Sequence, residues 1–266
     1  MSKIDFTRAL RSTAVLLIGA VGCGSGALAQ TAPTPPRVGV PGCSDDVAVQ
    51  ASRELIRFES RGRPIRAYLY APRGDGNGSG IVMLHGGTGF EMNSILFDAH
   101  AIQLASRGYT VILPAYFEAA PRGGNRPTVT ARAWRQAALD SAERLTATAA
   151  VSSERVALWG FSRGAGVALD AAAADGGGVR SAVLVAGAGP VEGDLADRDL
   201  SFLLLHARRD EAVPARATLR TADDLREAGA AVQVQELPFD SHQYDLPTWC
   251  EVFARTRTFL ETRSGR

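Results

Sequence analysis

Three features of this chain predict an α/β fold with a mostly parallel sheet covered by helices on both faces. Strand and helix patterns alternate from Ser52 onward, which is how a parallel sheet with crossover helices is written. The strands after the first two are short, continuous apolar runs rather than alternating ones, as expected of strands buried on both sides. Residues 155–169 read Arg-Val-Ala-Leu-Trp-Gly-Phe-Ser-Arg-Gly-Ala-Gly-Val-Ala-Leu: a strand, a tight glycine-flanked turn and an alanine-rich helix.

The elements follow in order. Arg53–Ser60 and Pro64–Ala71 flank a turn at Arg61-Gly62 and read as an opening antiparallel hairpin. A Gly/Asp/Asn loop leads to a buried strand at Ile81–Leu84. Ser94–Arg107 has helical spacing, with Ile95, Ala99, Ile102, Leu104 and Ala105 on its apolar side, and stops at Gly108. Tyr109–Leu113 is a strand, and Thr130–Ala149 is a long helix. Further strands are expected at Arg155–Leu158, Ser181–Ala186, Phe202–His206 and Val232–Leu237. Helices at Arg163–Ala174 and Thr218–Ala228 fill the gaps, and Pro247–Thr262 closes the chain. In such a sheet, working residues belong in loops at the carboxyl ends of the strands. The connector between Ala186 and Phe202 is too short for a large helical lid.

The chain has 266 residues, 45% of them hydrophobic, enough for one large domain. Its division is a leader at 1–29, a proline-rich linker at 30–51 with Pro33, Pro35, Pro36 and Pro41, and a folded domain at 52–266. The leader has Lys3, Arg8 and Arg11 ahead of an apolar run from Ala14 to Gly22, and ends in Ala27-Leu28-Ala29. That is a secretory signal peptide with an A-x-A cleavage site. Its apolar run is too short to span a bilayer. The expected location is therefore secreted or periplasmic. A second reading takes Ala20-Val21-Gly22-Cys23 as a lipoprotein box with a lipid anchor on Cys23. Cleavage at Ala29 also removes Asp5 and takes the net charge from +1 to −1, so no nucleic acid or other polyanion partner is implied. Cys43 and Cys250 are the cysteines that remain, and two thiols in an oxidising compartment predict a disulfide between them.

The chemistry starts at Gly160-Phe161-Ser162-Arg163-Gly164. In G-x-S-x-G between a strand and a helix, the turn is so tight that only glycine avoids a Cβ clash on either side of the serine. The serine hydroxyl is projected beyond the sheet, where the positive end of the helix begins. A serine hydroxyl needs a base, and the chain order Ser, acid, His selects it. Of His85, His100, His206 and His242, only His242 lies beyond every candidate acid. It sits in the polar loop after the last strand. Asp210, in the loop after Phe202–His206, is the expected acid; Glu192 and Asp194, one strand earlier, are the alternatives. Glu211 should point elsewhere. Backbone donors for a developing oxyanion are expected from Arg163 and from the His85-Gly86-Gly87-Thr88-Gly89 loop, with Gly87 first and Thr88 second. His85 braces that loop. Gly187-Ala188-Gly189-Pro190 faintly imitates a dinucleotide fingerprint, but position six is Glu192 and no helix opens there. No spacing of His, Cys and Asp predicts a metal site, and no cofactor is expected.

With Leu84-His85-Gly86-Gly87, Gly160-Phe161-Ser162-Arg163-Gly164, His206 through Asp210 to Pro214, and Ser241-His242 in place, the chain resembles the dienelactone hydrolase family of the α/β-hydrolases over roughly 52–262. The resemblance implies an α/β-hydrolase fold without a large lid, and a hydrolase acting on small esters or lactones. The namesake enzymes use cysteine where Ser162 stands, and a glutamate in the loop held here by Gly86-Gly87. The expected function is an exported serine esterase with the triad Ser162, Asp210 and His242 and a small-molecule ester as its partner. Alternatives are a peptidase or thioesterase on the same residues, or a silent binding protein that kept the fold. Short-chain or small cyclic esters are the expected substrates. Arg122, Arg126 or Arg163 is available for a substrate carboxylate.

Overall fold

The computed structural model describes residues 43–264, apart from 122–125, 149 and 175–177. The leader, Cys23, the prolines of the linker and Arg122 lie outside the described residues. An eight-stranded sheet forms the centre, in the order β1-β2-β4-β3-β5-β6-β7-β8. β1 (Ala51–Ser60) and β2 (Arg63–Pro72) make the hairpin, and β2 pairs antiparallel with β4 (Thr110–Pro114). From there the sheet is parallel through β3 (Gly80–Leu84), β5 (Val156–Phe161), β6 (Val179–Val185), β7 (Ser201–Ala207) and β8 (Ala231–Leu237). Arg61 and Gly62 both have positive φ, the backbone of a two-residue turn whose twist matches its strands. The fold is that of the α/β-hydrolases, with an open sheet.

Period-two alternation divides the core. Val156 and Leu158 of β5, with Phe202 and Leu204 of β7, face one layer; Ala157, Trp159 and Phe161, with Leu203 and Leu205, face the other. The first layer packs under α2 (Pro127–Thr146), α3 (Arg163–Ala173) and α4 (Ala215–Glu227), and is rich in alanine. Small side chains let α3 lie close to the sheet; a Cβ on Gly187 would overlap that of Ala165. The second layer packs under α1 (Phe90–Ala105) and α5 (Leu246–Ser264), and is aromatic. Phe97, Trp159, Trp249 and Phe253 meet edge-to-face and stacked, with centroids 5.1–6.5 Å apart. Trp159 Nε1–H donates to Thr256 at 3.2 Å, so this buried indole is satisfied.

Residues 43–50, assigned from sequence to the linker, form no regular element but are fastened to the domain. Cys43 is bonded to Cys250 of α5. Val47 exchanges two hydrogen bonds with the Gln103 side chain, at 2.9 and 3.0 Å, and Asp45 pairs with Arg257. Four helices start earlier than the sequence predicts, α4 at Ala215 rather than Thr218 and α5 at Leu246 rather than Pro247 among them. α1 begins at Phe90 rather than Ser94, behind Gly89 with φ 93° and without a side-chain cap. α2 begins at Pro127 rather than Thr130, with proline in its first turn, where a missing N–H costs nothing. Beyond β4 the chain makes a turn of 3-10 helix at Tyr116–Ala119. No helix among the described residues is long and apolar enough to cross a membrane.

Candidate active site

Four loops meet at the carboxyl end of the sheet, after β3, β5, β7 and β8. Ser162 lies between β5 and α3 with φ 54° and ψ −117°, a backbone that a side-chain-bearing residue adopts only when its surroundings compel it. Those surroundings are visible. A Cβ on Gly160 would run into the carbonyl of Gly164, and a Cβ on Gly164 into the carbonyls of Leu84 and His85. Ser162 N–H donates to Val185 O at 2.8 Å, which anchors the turn to β6.

Ser162 Oγ is 2.8 Å from His242 Nε2, and His242 Nδ1 is 2.8 Å from Asp210 Oδ2. The Asp210 side chain is fully buried, and its other oxygen accepts the N–H groups of Ala212 at 2.9 Å and Val213 at 2.7 Å. A carboxylate held this way accepts only, so it fixes the imidazole as the Nδ1–H tautomer. The Nε2 lone pair then faces the serine O–H. This arrangement can take a proton from the hydroxyl and hold the resulting imidazolium beside a carboxylate. Phe161 stacks on the His242 ring at 5.2 Å and limits its motion.

Gly86–Gly89 form a tight turn closed by Gly89 N–H to Gly86 O at 3.2 Å, which leaves the amides of Gly87 and Thr88 outside the turn's own hydrogen bond. Arg163 opens α3, so its N–H has no acceptor within the helix. Gly87, Thr88, Ser162 and His242 all line one cleft of about 440 Å³. His85 Nδ1–H donates to Gly86 O at 2.9 Å, and its ring stacks on Tyr116 at 4.2 Å. Burial pushes the His85 pKa down to about 4, so it acts as a neutral brace. Tyr116 O–H donates to His85 O at 2.8 Å.

Two residues at the site escape a reading of the sequence. Asn93 accepts Gly86 N–H and donates to Thr88 Oγ1 at 2.6 Å, pinning the glycine turn from the first turn of α1. Glu211, expected to point away, instead accepts the His242 N–H at 3.1 Å and the Ser241 hydroxyl at 3.4 Å. Its own backbone N–H and that of His242 hold its carboxyl below the usual range. Arg208 adds two more ties between the β7 and β8 loops, through Phe239 O and Asp240. The alternative acids stand apart from the imidazole's partners: Asp194 caps Ala196 N–H at 3.0 Å, and Glu192 lines a separate cleft between α2 and α3. Arg163 lies over Trp134 at 5.6 Å, and Arg126 occupies the N-cap of α2. Among the described residues no three His, Cys, Asp or Glu come together to hold a metal.

A sequence model described as the dienelactone hydrolase family matches residues 65–245. No curated protein matches. Among solved structures, a candidate dienelactone hydrolase from Klebsiella pneumoniae superposes with a TM-score of 0.64 at 18% identity, covering 79% of this chain and 98% of that one. A dienelactone hydrolase-like promiscuous phosphotriesterase from metagenomic libraries gives 0.66 at 18% identity, with 80% and 98% covered. An acylaminoacyl peptidase from Pyrococcus horikoshii gives 0.60 at 16% identity; 80% of this chain matches 42% of that longer one. These likenesses are of fold.

Proposed function

The chain belongs to the dienelactone hydrolase family, and on that footing we propose that it is an exported serine hydrolase that cleaves small carboxylic esters or lactones through an acyl-enzyme. The observation that carries the reading is the unbroken relay Ser162 Oγ, His242 Nε2, His242 Nδ1 and Asp210 Oδ2, with 2.8 Å at both links. Ser162 attacks the acyl carbon while His242 takes its proton. Negative charge on the carbonyl oxygen is met by the N–H of Arg163 and that of Gly87, with Thr88 beside it. His242 returns the proton to the departing alcohol, and water repeats the sequence to release the acid. Asp210 holds the tautomer throughout. Export is supported by the leader at 1–29, with mature protein from Gln30, and by the Cys43–Cys250 bond, which persists in oxidising compartments.

The open cleft and the absence of a lid between β6 and β7 support compact substrates, since each methylene left in water forgoes about 0.8 kcal/mol. Nitrophenyl acetate, butyrate and palmitate test this: kcat/KM should fall along the series, and a palmitate preference would contradict it. A second reading, hydrolysis of peptide or anilide bonds, draws on the fold shared with acylaminoacyl peptidase. Acyl nitroanilides tested beside the matching nitrophenyl esters separate the two.

A further inference from the structure

The lining of the cleft at Ser162 is of two kinds. Gly87, Thr88 and Asn93, of the glycine turn and its neighbour, are polar. Phe161, Tyr244 and Trp249, whose rings meet one another and His242, make an apolar side with Leu246, and Leu96 also lines the cleft. Resting on the acyl-transfer reading above, we propose that this apolar side is the subsite for the alcohol half of the ester, and that it takes an aromatic or compact ring-bearing alcohol.

The side follows from the chemistry. The proton that frees the alcohol comes from His242 Nε2, so the leaving oxygen must lie within hydrogen-bond reach of that nitrogen. The group attached to it then extends along the histidine side of the cleft. There the chain running on from His242 supplies the wall: Gln243, Tyr244, Asp245 and Leu246 all line it. The wall is built of rings. Phe161, which stacks on His242, lies 5.9 Å from Tyr244 and 5.0 Å from Trp249, and Tyr244 lies 5.2 Å from Trp249. Such faces favour offset or edge-on contact with another ring.

The rim agrees. Leu246, 44% exposed, lines the cleft. Large apolar side chains at a cleft mouth mark a surface that meets an apolar ligand. Size agrees too: a cavity of about 150 Å³ accepts benzene, and this cleft offers about 440 Å³. This lining carries a carboxylate, Asp245, which caps Thr248 N–H at 2.9 Å. It disfavours an anionic alcohol. The same subsite admits an alcohol as acceptor: its oxygen attacks the acyl carbon, the carbon–Oγ bond breaks, and the proton passes through His242 to Ser162. The products are a new ester and free enzyme.

Benzyl and ethyl acetate test the subsite, because they share an acyl group. The full-length mature protein should show kcat/KM at least about tenfold higher for benzyl acetate, the usual scale of discrimination by an apolar pocket. Leu246→Asp should bring the ratio toward one. Benzyl alcohol added during nitrophenyl acetate turnover should divert acyl groups into benzyl acetate. Equal rates for the two esters would overturn the subsite while leaving the hydrolase reading intact, as would a Leu246→Asp ratio unchanged from wild type. Saturation-transfer NMR of benzyl alcohol with the Ser162→Ala variant needs no turnover. Bound benzyl alcohol with both esters inert would overturn the hydrolase reading instead, and no bound benzyl alcohol would overturn the subsite.

Discussion

His85 and His242 stand at the same end of one sheet, one residue beyond β3 and five beyond β8, yet they face opposite surroundings. His242 has a partner on each nitrogen, a buried carboxylate at one and a hydroxyl at the other. His85 is packed against Tyr116, Phe117 and Phe90, bonds one nitrogen to a backbone carbonyl, and leaves its buried Nε2 without a partner among the described residues. Burial alone disfavours the imidazolium and makes a structural ring. Burial beside a carboxylate makes a ring that can accept a proton. His100 extends the first case: it stacks on Phe253 at 3.6 Å, and burial pushes its pKa to about 3. The position of a carboxylate, more than the position of the histidine, separates base from brace.

The largest effect should come from removing the relay. Ser162→Ala or His242→Ala should lower kcat by roughly 10⁶, and the double variant should lose little more, because the residues act as a unit. Additive losses would mean that His242 serves something other than Ser162. Asp210→Asn comes next, at roughly 10⁴ in kcat with the fold retained, because an amide permits the wrong tautomer. A near-normal rate would return the acid role to Glu192 or Asp194.

The brace histidines should show in stability rather than rate. Their folded pKa values, about 4 for His85 and about 3 for His100, lie below the ordinary 6.5. The unfolded chain therefore binds protons that the folded one refuses. The stabilisation is complete above pH 6.5 and is lost as pH falls through 6.5 toward those values. Between pH 7 and pH 5 each ring should cost about 2 kcal/mol of unfolding free energy. Urea melts of His100→Phe should show a slope between those pH values shallower by about that amount. An unchanged slope would mean that His100 takes up its proton as readily in the folded protein as in the unfolded chain.

The smallest effect concerns Glu211, which ties the histidine loop rather than the ring. Glu211→Ala should lower kcat about tenfold with little change in KM, by letting His242 drift from its line. Glu211→Gln keeps an acceptor for the His242 N–H and should recover most of that loss. Equal losses in the two variants would exclude the hydrogen bond as the cause.

What was legible in the sequence sorts by how local the cause is. Gly160 and Gly164 flank Ser162 because of clashes within a few residues, so the motif is readable in one dimension. The order of Ser162, Asp210 and His242 follows from strand succession, and the two apolar layers follow from alternation. The start of α1 was hidden because Gly89 supplies no capping side chain, and Asn93, which pins the Gly86 turn, stands just before the helix expected from Ser94 and carries no signal of that role. Glu211 was misread for a different reason. Neighbouring residues in a loop need not diverge, and its direction is set by the Ser241 hydroxyl and the His242 N–H, about thirty positions away. The fastening of residues 43–50 to α1 and α5 was foreshadowed only by the pairing of Cys43 with Cys250; the Gln103 and Arg257 contacts have no sequence signature.

Activation of Ser162 as a nucleophile is the central claim, and a fluorophosphonate probe tests it without a known substrate. Probe attached to the wild-type protein should map by peptide mass spectrometry to the peptide carrying Ser162. Labelling should be lost in Ser162→Ala and slowed by several orders of magnitude in His242→Ala. A folded wild-type protein that stays unlabelled, or one labelled equally fast without His242, would contradict the claim that the relay drawn at this end of the sheet does chemistry.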